Sequence, residues 1–325
     1  MPVQSKKVKR LAEQAEDGEI PYISKSRVLK YKKCPRQFEY VYVKGWREEE
    51  NTAMRRGTVI HEVLEDYYHN ITDYVNETGG KPEVGTLVDF LPEFERWQPY
   101  VVPYIANFII FEHRRLAEAS TAEAFVPVEI EAERWIDDPL AKGDETAIPA
   151  MGYVDVIFTA DSIPGVVQTD GVVIIDFKTG KTPDEEYRDD GIYLQGAYYA
   201  LLFEGEYKVV GVGGYYPKND DMIVSGRSKK RQADVAEIMS YIHDINEEER
   251  RGLETEEQPL CKWGEEDDEQ CSFFDICPSS WGNGLKNADE FRWLVEMGYT
   301  DGELAGHFDC DFGAVRYTKY KLGLN

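Results

Sequence analysis

The stretch GVVIIDFKTGK, residues 171–181, begins as an apolar, β-branched run and then breaks into Asp176, Phe177 and Lys178. Such a run reads as a buried strand. Residues two apart on a strand share a face, so Asp176 and Lys178 project side by side while Phe177 points the other way. An acid and a base at the end of a strand that wants burial make either an ion pair or half of an active site.

The segments around it divide by period. Upstream, AFVPVEIEAERWI and AMGYVDVIFTA read as strands, and downstream KVVGVGGYYP and DMIVSG do the same. A helix is expected from Ser24, which can cap it, and another over residues 55–68 with Val59, Val63, Leu64 and Tyr67 on one face. Residues 92–119 read as helical with a break at Pro99 and Pro103, as do YLQGAYYALLF and ADVAEIMSYIHDIN. The fold class this predicts is α/β, a mixed sheet core flanked by helices. Residues 1–19 read as a flexible polar segment, and residues 20–283 as the α/β domain with an irregular, Cys-containing stretch near its end. Residues 284–325 read as a small all-α C-terminal module, in which Gly298 suits a helix C-cap and Thr300 with Glu303 a capping box.

With 62 acids against 37 bases in 325 residues, the formal charge is −25. Self-repulsion at that charge is screened at ~1 M salt, where the Debye length is about 3 Å. Acids spread along the whole chain therefore point to a salt-loaded cytoplasm, and acidity does not exclude a nucleic-acid partner. No stretch approaches ~18 consecutive apolar residues, and the N-terminal MPVQSKKVKRLAEQAEDGE lacks an apolar signal core. A cytoplasmic location without a membrane span is expected.

Three more polar residues interrupt apolar segments: His61 in a helical pattern, Asp155 in the strand MGYVDVIF, and Gln195 on the helix after the DFK strand. Hard divalent cations such as Mg²⁺ prefer carboxylate oxygens and water, and two carboxylates on adjacent strands supply a ligand pair. A neighbouring lysine can orient water or stabilise charge on a phosphate. Taken singly, His61 reads as a core histidine, Asp155 as a strand-end hydrogen bonder and Asp176 with Lys178 as a surface pair; together they have the ingredients of metal-assisted phosphodiester hydrolysis.

The segments GTVIHEVLE (57–65), GYVDVI (152–157), IIDFKTGK (174–181) and YLQGAYYALL (193–202) resemble the PD-(D/E)XK nucleases of the RecB type, which include CRISPR-associated adaptation nucleases. The resemblance spans roughly residues 22–280 and implies a restriction-endonuclease-like fold. It implies that His61, Asp155 and Asp176 bind Mg²⁺ or Mn²⁺, that the Phe177 carbonyl offers a fourth oxygen, and that Lys178 aligns or activates the attacking water. Gln195 and Tyr199 complete a QxxxY element beside the site. Glu129 and Glu131, on the preceding strand, read as solvent-exposed first and as additions to the acidic patch second.

Of the five cysteines, Cys34 lies in KKCPRQFEY, and Cys261, Cys271 and Cys277 lie in LCKWGEEDDEQCSFFDICP. In a reducing compartment such clusters read as metal ligands before disulfides. The resemblance implies a 4Fe-4S cluster on these four, with structural Zn²⁺ as the rival; the nine residues between Cys261 and Cys271 are more than the family's usual spacing. Cys310 reads as structural. The C-terminal module resembles a helix-turn-helix whose last helix carries Arg316, Lys319 and Lys321 toward DNA, and a trihelical tail packed on the nuclease is an equal reading.

The expected function is a metal-dependent DNA nuclease, acting on single-stranded ends as an exonuclease in repair, recombination or CRISPR adaptation. No GxxxxGK[ST] motif is present, so a helicase would be a separate partner. The rival is a non-catalytic DNA-binding protein that uses the nuclease fold as a scaffold.

Overall fold

The computed structural model describes residues 10, 13–15, 19–47, 52–93, 99–136, 148–247, 272–273, 288–308, 310 and 312–324. The chain divides into two compact units, the first comprising Met1–Ala12, Pro21–Leu29 and Asn51–Tyr241, the second Glu13–Ile20, Lys30–Glu50 and Ile242–Asn325.

The first unit's elements are β1 (Ile23–Ser24), which leads directly into α1 (Lys25–Lys33), then α2 (Thr52–Thr78), α3 (Val102–Glu118), β2 (Glu129–Ile136), β3 (Ala150–Thr159), β4 (Val172–Phe177), α4 (Leu194–Leu202), β5 (Val209–Tyr216), β6 (Asp221–Ser225) and α5 (Lys229–Glu247), of which α1 from Lys30 and α5 from Ile242 are counted with the second unit. The strands form one six-stranded mixed sheet in the order β1-β3-β4-β5-β6, with β2 also on β3. Ala150 and Met151 pair with both β2 and β1, while Val156 and Ile157 pair with both β2 and β4. A strand has only two edges, so β1 and β4 share the edge opposite β2. β1 runs parallel to β3 and β4 antiparallel to it, so their C-terminal ends approach each other along that edge.

All of β4 is buried, as its β-branched run demands of a strand covered on both faces. Val173, Ile175 and Phe177 enter a core with Ile60, Leu64 and Tyr68 of α2 and Phe108 of α3. The buried positions of α2, Ile60, Val63, Leu64, Tyr67, Tyr68 and Ile71, recur three and four apart, the stripe that seats a helix on a sheet. The other face carries α4. A Cβ added at Gly196 would stand 2.6 Å from Val212 Cγ2, so only glycine lets α4 lie this close to β5.

The expected helices and strands form with two revisions. AFVPVEIEAERWI is not strand throughout: Ala122–Phe125 is a short helix capped by Thr121, and β2 begins at Glu129. Of residues 92–119, expected to be helical, only Val102–Glu118 forms the helix: 92–93 and 99–101 are not helical, 94–98 lie outside the described residues, and Pro103 sits in the first turn of α3, where its missing N–H costs nothing. Ser24 Oγ accepts from the Arg27 N–H at 3.4 Å, the capping role its position suggested.

In the second unit, α6 (Ala288–Glu296), α7 (Asp301–His307) and α8 (Phe312–Lys321) close a separate core of Phe291, Leu294, Leu304 and Val315 with Tyr40, Trp46 and Phe273. Trp46 stacks on Tyr40 at 4.2 Å. The Thr300–Glu303 capping box forms, and Gly298 takes φ +87° after α6.

Within the first unit's core, Arg115 and Glu112 are both fully buried, with Arg115 Nη1 3.0 Å from each Glu112 oxygen. Its Nη2 donates to the Phe125 carbonyl and Ser162 Oγ, and Tyr68 donates to Glu112 at 2.8 Å. The pair ties α3 to the segment before β2 and to the end of β3. Arg115→Met strands the carboxylate without its counter-ion, and urea denaturation should show a loss of about 3–5 kcal/mol; a loss below 1 kcal/mol would mean that the network contributes no more than a surface pair.

Candidate active site

Three acids fall in line across three neighbouring strands. The register that pairs Ile130 with Val156 and Ala132 with Val154 sets Glu131 opposite Asp155, and the ladder is interrupted there. The register of β3 on β4, continued by one residue from Val156↔Ile175, sets Asp155 level with Asp176. Glu131 takes φ +47°, a left-handed conformation that costs a non-glycine residue roughly 1–3 kcal/mol.

His61 of α2 brings Nδ1 to 3.6 Å from Asp155 Oδ1. One donor atom each from His61, Glu131 and Asp155 lies within 4.8 Å of the others. Asp155 Oδ2 accepts the Phe177 N–H, which braces the acid against the end of β4. Burial and then the negative charge of Asp176 push the Asp155 carboxyl up. Burial, Asp155, Glu65 and Asp176 push Glu131 up to about 8.

Asp176 is held differently. Its side chain is 3% exposed; Lys178 Nζ lies 2.6 Å from Oδ2, and Lys25 Nζ lies 3.0 Å from Oδ1. The Tyr199 hydroxyl donates to the same Oδ1 at 2.9 Å. Burial opposes the charged carboxylate, but the ammonium groups of Lys178 and Lys25 outweigh it and hold Asp176 well below the usual carboxylate range. Burial pushes the Lys178 ammonium down, with Asp176 pulling against it. Burial works against the Lys25 charge too, but there the attraction of Asp176 and Asp155 wins and the group is pushed up. Gln195 is buried at the start of α4, and its amide nitrogen has no hydrogen-bond partner among the described residues.

Residues 22–278, the stretch that contains this histidine, row of acids and strand ending in Asp-Phe-Lys, match a profile of the PD-(D/E)XK nuclease superfamily. The chain belongs to the PD-(D/E)XK nuclease superfamily. Comparison with curated proteins gives no match.

The superfamily's chemistry uses a divalent metal, and the residues present fit one. His61, Glu131 and Asp155 converge as a nitrogen and two carboxylate oxygens, a mixed donor set suited to Mn²⁺ as well as Mg²⁺. Sequence reasoning placed Glu131 in solvent, and the structure corrects this. Of the glutamates on β2, Glu129 pairs with Arg134 and Glu133 meets Trp135, while Glu131 alone is turned into the site. Alternation puts all three on one face and cannot separate them; the interrupted ladder does. Lys25 was missed altogether, since nothing local in YISKSR distinguishes it from a surface lysine. Among the expected ligands, Asp176 stands beside the donor set with both oxygens engaged by lysines, and Phe177 takes part through its N–H.

In the second unit, Lys321 is buried with its ammonium over the rings of Phe273 and Tyr317, so it does not project toward a groove as its position suggested. Lys319 is 2.5 Å from Asp301, and Arg316 remains largely exposed. Cys34 is half-buried and in no disulfide among the described residues, and Cys261, Cys271 and Cys277 lie outside the described residues.

The Glu131 shift has a sign that can be checked. Its carboxyl titrates near 4.5 when unfolded and near 8 in the fold. Between these values the folded state keeps a proton that the unfolded state has lost, so this group's contribution to stability falls as pH rises. In EDTA, the melting temperature of the native protein should fall more steeply than that of Glu131→Gln across about pH 5 to 8. Parallel profiles would mean that Glu131 carries no raised pKa.

Proposed function

We propose that this protein is a Mg²⁺- or Mn²⁺-dependent DNA nuclease of the RecB type that hydrolyses phosphodiester bonds, working as an exonuclease on single-stranded ends in repair, recombination or CRISPR adaptation. The observation that carries the reading is the row across β2, β3 and β4, where a convergent donor set lies beside a strand end that carries a lysine. His61, Glu131 and Asp155 would hold the cation, with Asp176 joining them. When bound, it supplies Lewis-acid stabilisation of the phosphoryl oxygens and a more acidic water. Lys178, steered by Asp176, aligns and activates the attacking water. Tyr199 fixes Asp176 from beneath, and Gln195 offers an amide donor beside it.

A 4Fe-4S cluster on Cys34, Cys261, Cys271 and Cys277 is part of this reading, with Zn²⁺ as the alternative metal. What supports it is the preference of clustered thiolates for metal over disulfides in a reducing compartment. The proposed setting is a salt-rich cytoplasm, supported by the −25 charge. Burial of Lys321 favours the tail as a packing module over a groove reader.

Two measurements test the proposal. End-labelled single- and double-stranded DNA should be degraded at molar KCl with Mn²⁺ or Mg²⁺, and Lys178→Ala should lower the rate by about two orders of magnitude or more, the contribution typical of a positioned proton-transfer group. DNA bound but uncleaved in every metal would favour the scaffold reading. Protein purified without oxygen should contain iron and acid-labile sulfide and lose both in Cys34→Ser; zinc in their place would decide for the rival metal.

A further inference from the structure

Lys25 belongs to none of the motifs that carry the family resemblance, yet the fold positions it with care. The two-residue β1 that precedes it is pinned at each step. The Ile23 N–H donates to the Pro149 carbonyl at 2.8 Å, and Ile23 and Ser24 pair with Ala150 and Met151. The buried Tyr198 hydroxyl bridges the carbonyls of Ile23 and Met151 at 2.9 and 2.8 Å. The chain therefore leaves β3 at a fixed point and delivers Lys25 into the gap where the ends of β1 and β4 approach each other.

There its Nζ meets Asp176 Oδ1 at 3.0 Å and lies 5.4 Å from the centre of the Tyr199 ring, with the side chain 25% exposed. Asp176 already has Lys178 at 2.6 Å on its other oxygen and the Tyr199 hydroxyl at 2.9 Å on this one. Lys25 thus stands among several acids, Asp155 as well as Asp176, and it occupies the oxygen that a divalent cation drawn toward those two would claim. Two positive charges at contact distance from one oxygen repel each other, and the monovalent one is on a flexible four-carbon stem with a route to solvent. The anion that arrives in the same space with substrate is a phosphodiester.

We propose that Lys25 is a further phosphate-contacting residue of this centre: it neutralises Asp176 in the cation-free protein and transfers its ammonium to a non-bridging oxygen of the DNA strand when the cation loads. The proposal rests on the nuclease reading above and adds a residue and an order of events to it. No bond is made or broken in the exchange; one ion pair replaces another.

The test compares the native protein with Lys25→Met, which keeps the apolar stem, and Lys25→Arg, which keeps the charge. Calorimetric titration of the DNA-free proteins with Mn²⁺ should show Lys25→Met binding the cation several-fold more tightly, because the competitor for Oδ1 is gone. Fluorescence anisotropy of a labelled single-stranded oligonucleotide is then followed across a KCl series, with Ca²⁺ replacing Mn²⁺ to hold cleavage off. Lys25→Met should bind more weakly, with the slope of log K against log salt smaller by about 0.7, the value of one lost phosphate contact on a single strand. Lys25→Arg should keep the native slope. If Lys25→Met proves unfolded, Lys25→Gln takes its place in both measurements. An unchanged slope in a variant that binds DNA overturns the role of Lys25 and leaves the nuclease reading standing. A native protein that binds no DNA overturns both.

Discussion

The carboxylate of Asp176, almost without solvent at the end of a fully buried strand, is the constraint to which the rest of the first unit answers. A buried acid is stable only when its charge is matched and its oxygens are hydrogen-bonded. Here the match comes from three separate parts of the chain. Lys178 comes directly after β4, Tyr199 comes from the helix on one face, and Lys25 opens α1 directly after β1. Each partner imposes a requirement on the architecture. Lys178 needs its N–H held by the Tyr215 carbonyl just past the end of β4, Tyr199 needs α4 to press on β5 at Gly196, and Lys25 needs β1 on the same edge of β3 as β4.

The opposite side of β4 shows how rigidity is supplied to that arrangement. Phe177 stacks against Tyr68 and meets Phe108 and Tyr215 edge-on, so the residue between the acid and the lysine is locked in the aromatic core. Alternation then leaves Asp176 and Lys178 no freedom to turn inward. Beside them, Glu131 is held in a left-handed conformation and Asp155 is braced by the Phe177 N–H. Strain and crowded negative charge thus meet at one place, and a divalent cation bound there would relieve the crowding.

Much of the site was legible locally. The DFK strand end, Asp155 within a β-branched run and His61 on an amphipathic helix each break an apolar pattern, and a broken pattern is visible without a fold. The capping box at Thr300 and the C-cap at Gly298 were legible for a similar reason, since their hydrogen bonds join residues a few positions apart. Glu131 was not, because three glutamates alternate on β2 and only pairing distinguishes them. Lys321 reads as an exposed base on a helix of mixed polarity and is in fact folded over two aromatic rings, one of them Phe273 from a distant part of the chain.

The amino-acid sequence by itself determined the α/β class, the order of the elements and the acid, histidine and lysine of the motif series, because periodicity and polar interruptions are properties of neighbours along the chain. Only the tertiary structure decided that Glu131 completes the donor set, that Lys25 shares Asp176 with Lys178, and that β1 and β4 meet on one edge of β3. Those are outcomes of strand register and edge sharing, which bring together residues up to 151 positions apart and leave no trace in the pattern of any one segment.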